Sequence, residues 1–194
     1  MWSGGVSCAP GGNGCNRPAC RSIDAPSCSE STSRRWFQTA KYASAITREI
    51  IRLSGIPNDL DDAVAARMER QQVLYTGNRR FLVVLEEQAL RTRVGDTDTM
   101  AGQLDRLIAV LSLHRLSLGI IPAAGPRHIL PSEGFWLFDN STVKVETCSA
   151  GLTITQPREI AAYADAFARL QRSAVYGPPA RALIVNALDQ LNGH

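Results

Sequence analysis

Two adjacent carboxylates, Glu86 and Glu87, directly follow the apolar run "FLVVL" and are candidates for acid–base chemistry. Carboxylates just past the end of a buried strand often serve as catalytic groups in α/β proteins. The same position also suits the first turn of a helix, because the helix dipole favours negative charge there. We expect a half-exposed helix to begin at this join, and we keep an enzyme that uses one of these carboxylates as the alternative.

A candidate site for a ligand or partner comprises Arg127, His128, Trp136 and Glu146. Arg127 and His128 are neighbours in the Pro- and Gly-rich loop 122–134 and could bind an anion, although a solvated loop histidine is the simpler interpretation. Glu146 falls on a predicted strand and could pair with an arginine inside a pocket. A pocket bounded by this loop, Arg127, Trp136 and Glu146 would indicate a small-molecule sensor.

The residue types that bind metal ions have unsuitable spacing. None of the cysteines near the N-terminus forms the Cys-x-x-Cys pair that lets two thiolates reach one tetrahedral ion. These cysteines are Cys8, Cys15, Cys20 and Cys28. The acidic group Asp59, Asp61 and Asp62 could hold a divalent cation, but helix capping and dipole effects account for it. We therefore predict no metal site.

The motifs of common cofactor-dependent and hydrolytic enzymes are absent from the sequence. There is no Gly-x-x-x-x-Gly-Lys-Ser/Thr phosphate loop, no Gly-x-Gly-x-x-Gly turn, no His-Glu-x-x-His and no Gly-x-Ser-x-Gly elbow. We therefore expect no cofactor and a protein that is not an enzyme.

Composition indicates an ordinary globular protein. A length of 194 residues suits one domain, and 44% hydrophobic residues are enough for a core. No apolar run approaches the ~18 residues of a membrane-spanning helix, and the N-terminus lacks the pattern of a secretion signal. We expect a cytoplasmic protein without a membrane partner. The net charge of +3 is too small to indicate nucleic-acid binding.

The first 35 residues differ from the remainder. They are rich in Gly, Ser, Pro, Cys and Arg and contain Val6 and Ile23 as their only large aliphatic residues. Such a segment buries too little apolar surface to offset the entropy of ordering. The sequence therefore predicts a disordered tail over 1–35 and a folded domain over 36–194.

Periodic segments in the domain predict an α/β or α+β fold. A small mixed β-sheet would be packed by about five or six helices. "FLVVL" and "LSLGIIP" read as buried parallel strands joined by a helical crossover, and "FWLFD" and "VKVETC" as a hairpin around "DNST". Predicted helices start near residues 36, 58, 86, 97, 157 and 179.

Several blocks carry a resemblance to a known family. They include Gln38-Thr39, "AVAARMERQQVLY", "EEQALRTRVGD", the "M-x-x-Q-L" of "MAGQL", and "YADAFARLQRSAV". In order and spacing the chain resembles the C-terminal domain of unknown function of bacterial Xre-type helix-turn-helix, antitoxin-like transcriptional regulators. The resemblance implies a regulatory module that binds an effector, a small partner protein from a neighbouring gene or a full-length relative. It carries no catalytic residues.

The helix-turn-helix of these regulators has no counterpart in this sequence. No segment with the helical pattern of such a domain precedes the family-like blocks. We therefore predict that this chain does not bind operator DNA alone and reaches DNA only indirectly.

Overall fold

The computed structural model describes residues 19–24, 36–54, 59–130, 133–147, 150–191 and 193. These residues form an α+β fold of six α-helices and one mixed sheet. The predicted number of helices and the predicted mixed sheet are confirmed. No helix of the described residues is both long enough and apolar enough to cross a bilayer.

The elements follow one another as alternating groups of strands and helices. The strands are Ala19–Asp24 (β1), Arg80–Glu86 (β2), Leu116–Ile121 (β3), Phe135–Phe138 (β4), Thr142–Glu146 (β5), Gly151–Ile154 (β6) and Val175–Tyr176 (β7). The α-helices are Ala40–Ser54 (α1), Leu60–Arg70 (α2), Gln88–Arg91 (α3), Thr97–Val110 (α4), Pro157–Ser173 (α5) and Pro178–Leu191 (α6). A 3-10 helix spans Gln71–Leu74.

The sheet has the strand order β6-β5-β4-β1-β2-β3-β7. β2 and β3 are parallel and are connected through α4, which confirms the predicted crossover. β4 and β5 form the predicted antiparallel hairpin, and its turn places Asp139 and Asn140 at φ 48° and 55°. Two positive φ angles in sequence match the twist of a tight hairpin, and Asp and Asn tolerate them better than most residues.

Strand β1 joins two three-stranded parts of the sheet, because it pairs parallel with β2 and antiparallel with β4. Its residues, 19–24, fall within the segment predicted to be a disordered tail, so the structure differs from the prediction there. The other residues of that segment, with Cys8, Cys15 and Cys28, lie outside the described residues, and Cys20 is described by its backbone alone. β1 forms because its backbone is hydrogen-bonded to strands on both sides. Such pairing cannot be predicted from amino-acid composition.

Successive residues of the central strands point to opposite faces of the sheet. On one face, Phe81, Val83 and Leu85 of β2 pack in a core with α4 and α6. On the other face, Val84 packs in a second core with Phe167 of α5. Side chains two residues apart on a strand therefore share a face, which assigns Glu86 to the side covered by α5.

The helix predicted to begin at residue 86 is shorter than expected. α3 contains only the four residues Gln88–Arg91, because β2 continues through Glu86 and Thr92 has an extended backbone. The next helix, α4, begins at the predicted position and is capped by Asp96, which accepts a hydrogen bond from the amide of Thr99 at 2.8 Å.

Candidate functional site

Glu86 and Glu87 are buried at the carboxyl end of β2, with 3% and 7% of their surface exposed. A helix does begin at this join, with Glu87 at the N-cap of α3, but the two carboxylates themselves are buried and not part of a half-exposed face. The sheet extends past the apolar run, since Glu86 pairs with Ile121 of β3 and the Glu87 amide donates to the Ile121 carbonyl at 3.0 Å. A buried carboxylate is costly unless it is paired and hydrogen-bonded. Both have such partners.

Glu86 binds Arg127 through two parallel hydrogen bonds. Arg127 Nη1 donates to Glu86 Oε1 at 2.6 Å and Nη2 donates to Oε2 at 2.7 Å. This fork geometry is the strongest arrangement for an arginine–carboxylate pair. The hydrogen bonds to Glu86 raise the pKa of Arg127 further above its usual value, while burial opposes the shift. The pair fixes the side chain of Arg127 to the end of β2.

Glu87 has two partners, Arg91 on α3 and the backbone amide of Ala123. The Ala123 amide donates to Glu87 Oε2 at 2.8 Å, and Arg91 Nη2 donates to Oε1 at 2.6 Å. Burial raises the pKa of Glu87, but the hydrogen bonds from Ala123 and Arg91 together lower it below its usual value. The carboxylate is therefore charged at neutral pH, whereas a general acid needs a pKa near the working pH.

These contacts hold the segment 122–130, which we call the β3 loop, against the end of the sheet. A third contact comes from α5, where Ser173 Oγ accepts a hydrogen bond from the amide of His128 at 3.0 Å. Ile129 packs against the core under α5. The side chain of His128 is exposed, as the sequence predicted, and Leu130 is 79% exposed. The loop is thus anchored from beneath and presents side chains outward.

The four predicted site residues do not come together. Arg127 and His128 lie at the carboxyl end of β2 and β3, on the face covered by α5. Trp136 lies on the opposite face, where its ring packs against Trp36 with a centroid distance of 5.7 Å. Glu146 is exposed at the end of β5 and shares the face of Trp136, because the neighbouring Val145 packs under α5. The described residues therefore do not form the predicted sensor pocket.

Two concavities in the described part of the chain lie away from these four residues. A shallow groove of about 460 Å³ separates the β4–β5 turn from the start of α5 and is lined by Asn140, Thr155, Pro157 and Ala164, among others. A cavity of about 10 Å³ lies beside Gln103 between helices. The groove is wide and open, and the cavity has room for about one water molecule.

The acidic group at α2 shows the geometry of a helix start. Asp61 and Asp62 occupy the first turn of α2, where the helix dipole favours them, and Asp59 precedes it without a side-chain capping bond. Within the described ranges, no three His, Cys, Asp or Glu residues gather closely enough to hold a metal ion.

Sequence reasoning missed a network of buried glutamines. Gln103 on α4 accepts a hydrogen bond from the Thr39 amide at 2.9 Å and donates one to the Phe37 carbonyl at 3.0 Å. Gln71 donates to the carbonyl of Gln38 at 2.8 Å. The network fastens the segment before α1 to α4 and to the 3-10 helix. The sequence indicated these glutamines only indirectly. Each lies in a block of the family resemblance: Gln38 in Gln-Thr, Gln71 in "ERQQ" and Gln103 in "M-x-x-Q-L".

Comparison with known proteins gives one family. Residues 34–186 match the domain of unknown function DUF5753. No curated protein and no solved structure matches the chain. The matched segment includes α1, the glutamine network, both paired glutamates and most of α6. It spans well over half of the sequence, so the chain belongs to the DUF5753 family.

Proposed function

We propose that this chain is a non-enzymatic regulatory module that binds a partner protein through the β3 loop. It would act as the effector- or partner-binding module of an antitoxin-like transcriptional regulator of the Xre type. The motif blocks of the sequence support this assignment. In this proposal the module affects DNA binding indirectly, through its partner.

The observation that carries the proposal is the exposure of Leu130 on an anchored loop. Burying a leucine side chain yields about 1.5–3 kcal/mol, so a leucine that is 79% exposed forgoes most of this stabilisation. Arg127, Ala123 and His128 fix the loop to the sheet and α5. A loop already held in place loses little conformational entropy on binding, which favours affinity.

The pairing of Glu86 and Glu87 supports binding rather than catalysis. Each carboxylate accepts hydrogen bonds from an arginine, and Glu87 also accepts one from a backbone amide. A general base must lie within hydrogen-bonding reach of a substrate proton. These oxygens instead point at groups of the protein itself, where they hold the loop.

The expected partner is a small protein encoded by a neighbouring gene or a full-length relative of this chain. The test is co-purification of the chain with the products of its neighbouring genes, followed by mass spectrometry. We expect one small stoichiometric partner. Leu130→Asp should weaken its capture at least about tenfold, because a charge cannot enter an apolar interface without a large desolvation cost.

Leu53 on α1 supplies the matched control, since it is 70% exposed but lies on a different element. Leu53→Asp should leave capture unchanged. Absence of a partner in the wild-type preparation, or equal capture by the two variants, would contradict the proposal.

A small-molecule sensor is the second candidate, and the side chain of Trp136 favours it. The indole Nε1 is buried and has no hydrogen-bond acceptor in the described residues. A ligand that carries an acceptor would satisfy this donor. Ligand binding that quenches tryptophan fluorescence in the wild type and not in Trp136→Phe would support a sensor.

A further inference from the structure

Arginines gather at the amino end of the β2–β3 pair, opposite to the paired glutamates. Arg80 is the first residue of β2, and Arg79 and Arg115 directly precede β2 and β3. The amide of Phe81 donates to the carbonyl of Arg115 at 2.8 Å, which extends the ladder by one residue beyond the strand. Arg80 and Arg115 are therefore cross-strand neighbours.

Neighbouring strands lie about 4.8 Å apart, and paired residues of parallel strands share a face. Two like charges in such a position repel each other. The guanidinium of Arg115 also lacks a hydrogen-bond partner, because its Nη1 atom is buried and has no acceptor. A buried donor without an acceptor costs about 1–3 kcal/mol. Both observations indicate that an anion would stabilise this position.

Other residues at this end extend the positive charge. Arg106, near the end of α4, lies over the ring of Tyr75 at 5.7 Å from its centroid. The ion pairs between described residues involve Arg52, Arg91, Arg127 and Arg169. The four arginines of the amino end are not among them.

Two carboxylates limit the extent of this positive region. Asp105 adjoins Arg106 on α4. Asp139 follows the last residue of β4, and the registers of β4 with β1 and of β1 with β2 place it two strands from Arg80. The positive region is therefore compact. The backbone of a nucleic acid requires a longer row of cations than this.

We propose that the amino end of the β2–β3 pair binds a single phosphate group of a small ligand through Arg80 and Arg115. Guanidinium groups are planar forks that match phosphate oxygens with two hydrogen bonds each. Two adjacent forks can converge on one doubly charged anion, and Arg79 next to Arg80 and Arg106 on the α4 side of the sheet add attraction at longer range. This site lies at the opposite end of the strands from the β3 loop and does not depend on the partner-binding proposal.

Isothermal titration of the full chain with inorganic phosphate at low ionic strength tests this site. We expect saturable binding with a Kd on the order of 1 mM. Arg80→Gln and Arg115→Gln should each weaken binding at least about tenfold, the loss of one charge-assisted contact. Arg93→Gln is the matched control, because Arg93 is exposed and lies between α3 and α4, at the other end of the sheet.

Arg80 is exposed, so its variant should fold even if Arg115→Gln does not. Three outcomes would overturn the proposal: no saturable binding of phosphate, equal affinity in Arg80→Gln, or equal weakening in Arg93→Gln. A fourth is binding of a duplex DNA of about 20 base pairs that depends on Arg80 and is over a hundredfold tighter than phosphate binding. That result would assign the site to a nucleic-acid backbone. Phosphate binding that fails while the neighbouring-gene product is still captured would leave the partner-binding proposal in place.

Discussion

The two ends of the parallel pair β2–β3 use arginine in opposite ways. At the carboxyl end, Arg127 and Arg91 are each bound to a buried glutamate and hold the β3 loop or α3 in place. At the amino end, Arg80 and Arg115 are neighbours and form no ion pair within the described residues. Residue type alone therefore does not distinguish an arginine that holds the fold from one that is available to a ligand. The distinction depends on whether the fold places a carboxylate beside it.

The largest expected effect comes from breaking the pair at the carboxyl end. Glu86→Gln removes the charge that balances Arg127 and leaves a partly buried cation unpaired. Breaking a buried pair costs about 3–5 kcal/mol, and the partial exposure of Arg127 reduces this to about 2–4 kcal/mol. Urea unfolding at neutral pH would measure the loss in free energy of unfolding.

An exposed pair on α1 provides the control for this prediction. Glu49 and Arg52 form an i,i+3 ion pair at 2.5 Å in which both side chains are more than half exposed. Because solvent screens such pairs, Glu49→Gln should unfold at the same urea concentration as the wild type. Equal destabilisation by the two substitutions would show that the pair at the carboxyl end has no special role.

The next effect concerns Gly119, between the two ends of β3. A Cβ atom at Gly119 would lie 2.6 Å from the ring of Tyr176 on β7, closer than any real contact. Gly119→Ala should therefore destabilise the protein by about 1–3 kcal/mol, the usual cost of overpacking. In a Tyr176→Ala background the same change should cost much less, and thermal unfolding of the four proteins measures this coupling. If the two substitutions change the free energy of unfolding additively, the contact between position 119 and Tyr176 is contradicted.

The sequence predicted strands β2 to β5 and the helices, and it missed β1, β6 and β7. β2, β3 and α4 were identified because buried strands and an amphipathic helix have hydrophobic patterns of their own. β6 and β7 were missed because four and two residues are too few to show a period, and every residue of β6 except Ile154 is exposed.

The environment of Glu86 could not be predicted for a different reason. Its partner Arg127 lies 41 residues further along the chain, on a loop whose path follows from the packing of α5. The sequence indicated that Arg127 could bind an anion, and the anion it binds is a carboxylate of the same chain. Trp136 and Glu146 were grouped with it as the lining of one predicted pocket, whereas alternation along β4 and β5 directs them to the other face.

A smaller effect should appear in the pH dependence of stability. The pKa of Glu87 is lowered in the folded state from its usual value of 4.5, so its charged form stabilises the fold. This contribution is complete above the unfolded-state pKa and is lost as the pH falls through the folded-state pKa. Glu87→Gln should therefore lose less stability on acidification from neutral pH than the wild type. If the wild type and Glu87→Gln lose the same free energy of unfolding on acidification, the lowered pKa of Glu87 is contradicted.

The smallest change in stability is expected at the amino end of the β2–β3 pair. There a substitution should stabilise the protein, whereas the substitutions above destabilise it. Arg80→Gln removes the repulsion between Arg80 and Arg115 and should raise the free energy of unfolding by about 0.5 kcal/mol at low salt. High salt should abolish the difference, because it screens the repulsion. Destabilisation comparable to that of Glu86→Gln would mean that Arg80 holds the fold, and the contrast between the two ends would be lost.

Hydrogen exchange at two backbone amides measures whether the β3 loop is held against the sheet. The Ala123 amide donates to Glu87 and the His128 amide donates to Ser173, and these bonds hold the β3 loop in the position proposed to bind a partner. We predict slow exchange at both amides in the wild type and faster exchange at both in Glu86→Gln, because the loop loses its strongest anchor. Exchange at the rate of an unstructured peptide in the wild-type protein would show that the loop is not held, and it would contradict the proposed binding surface.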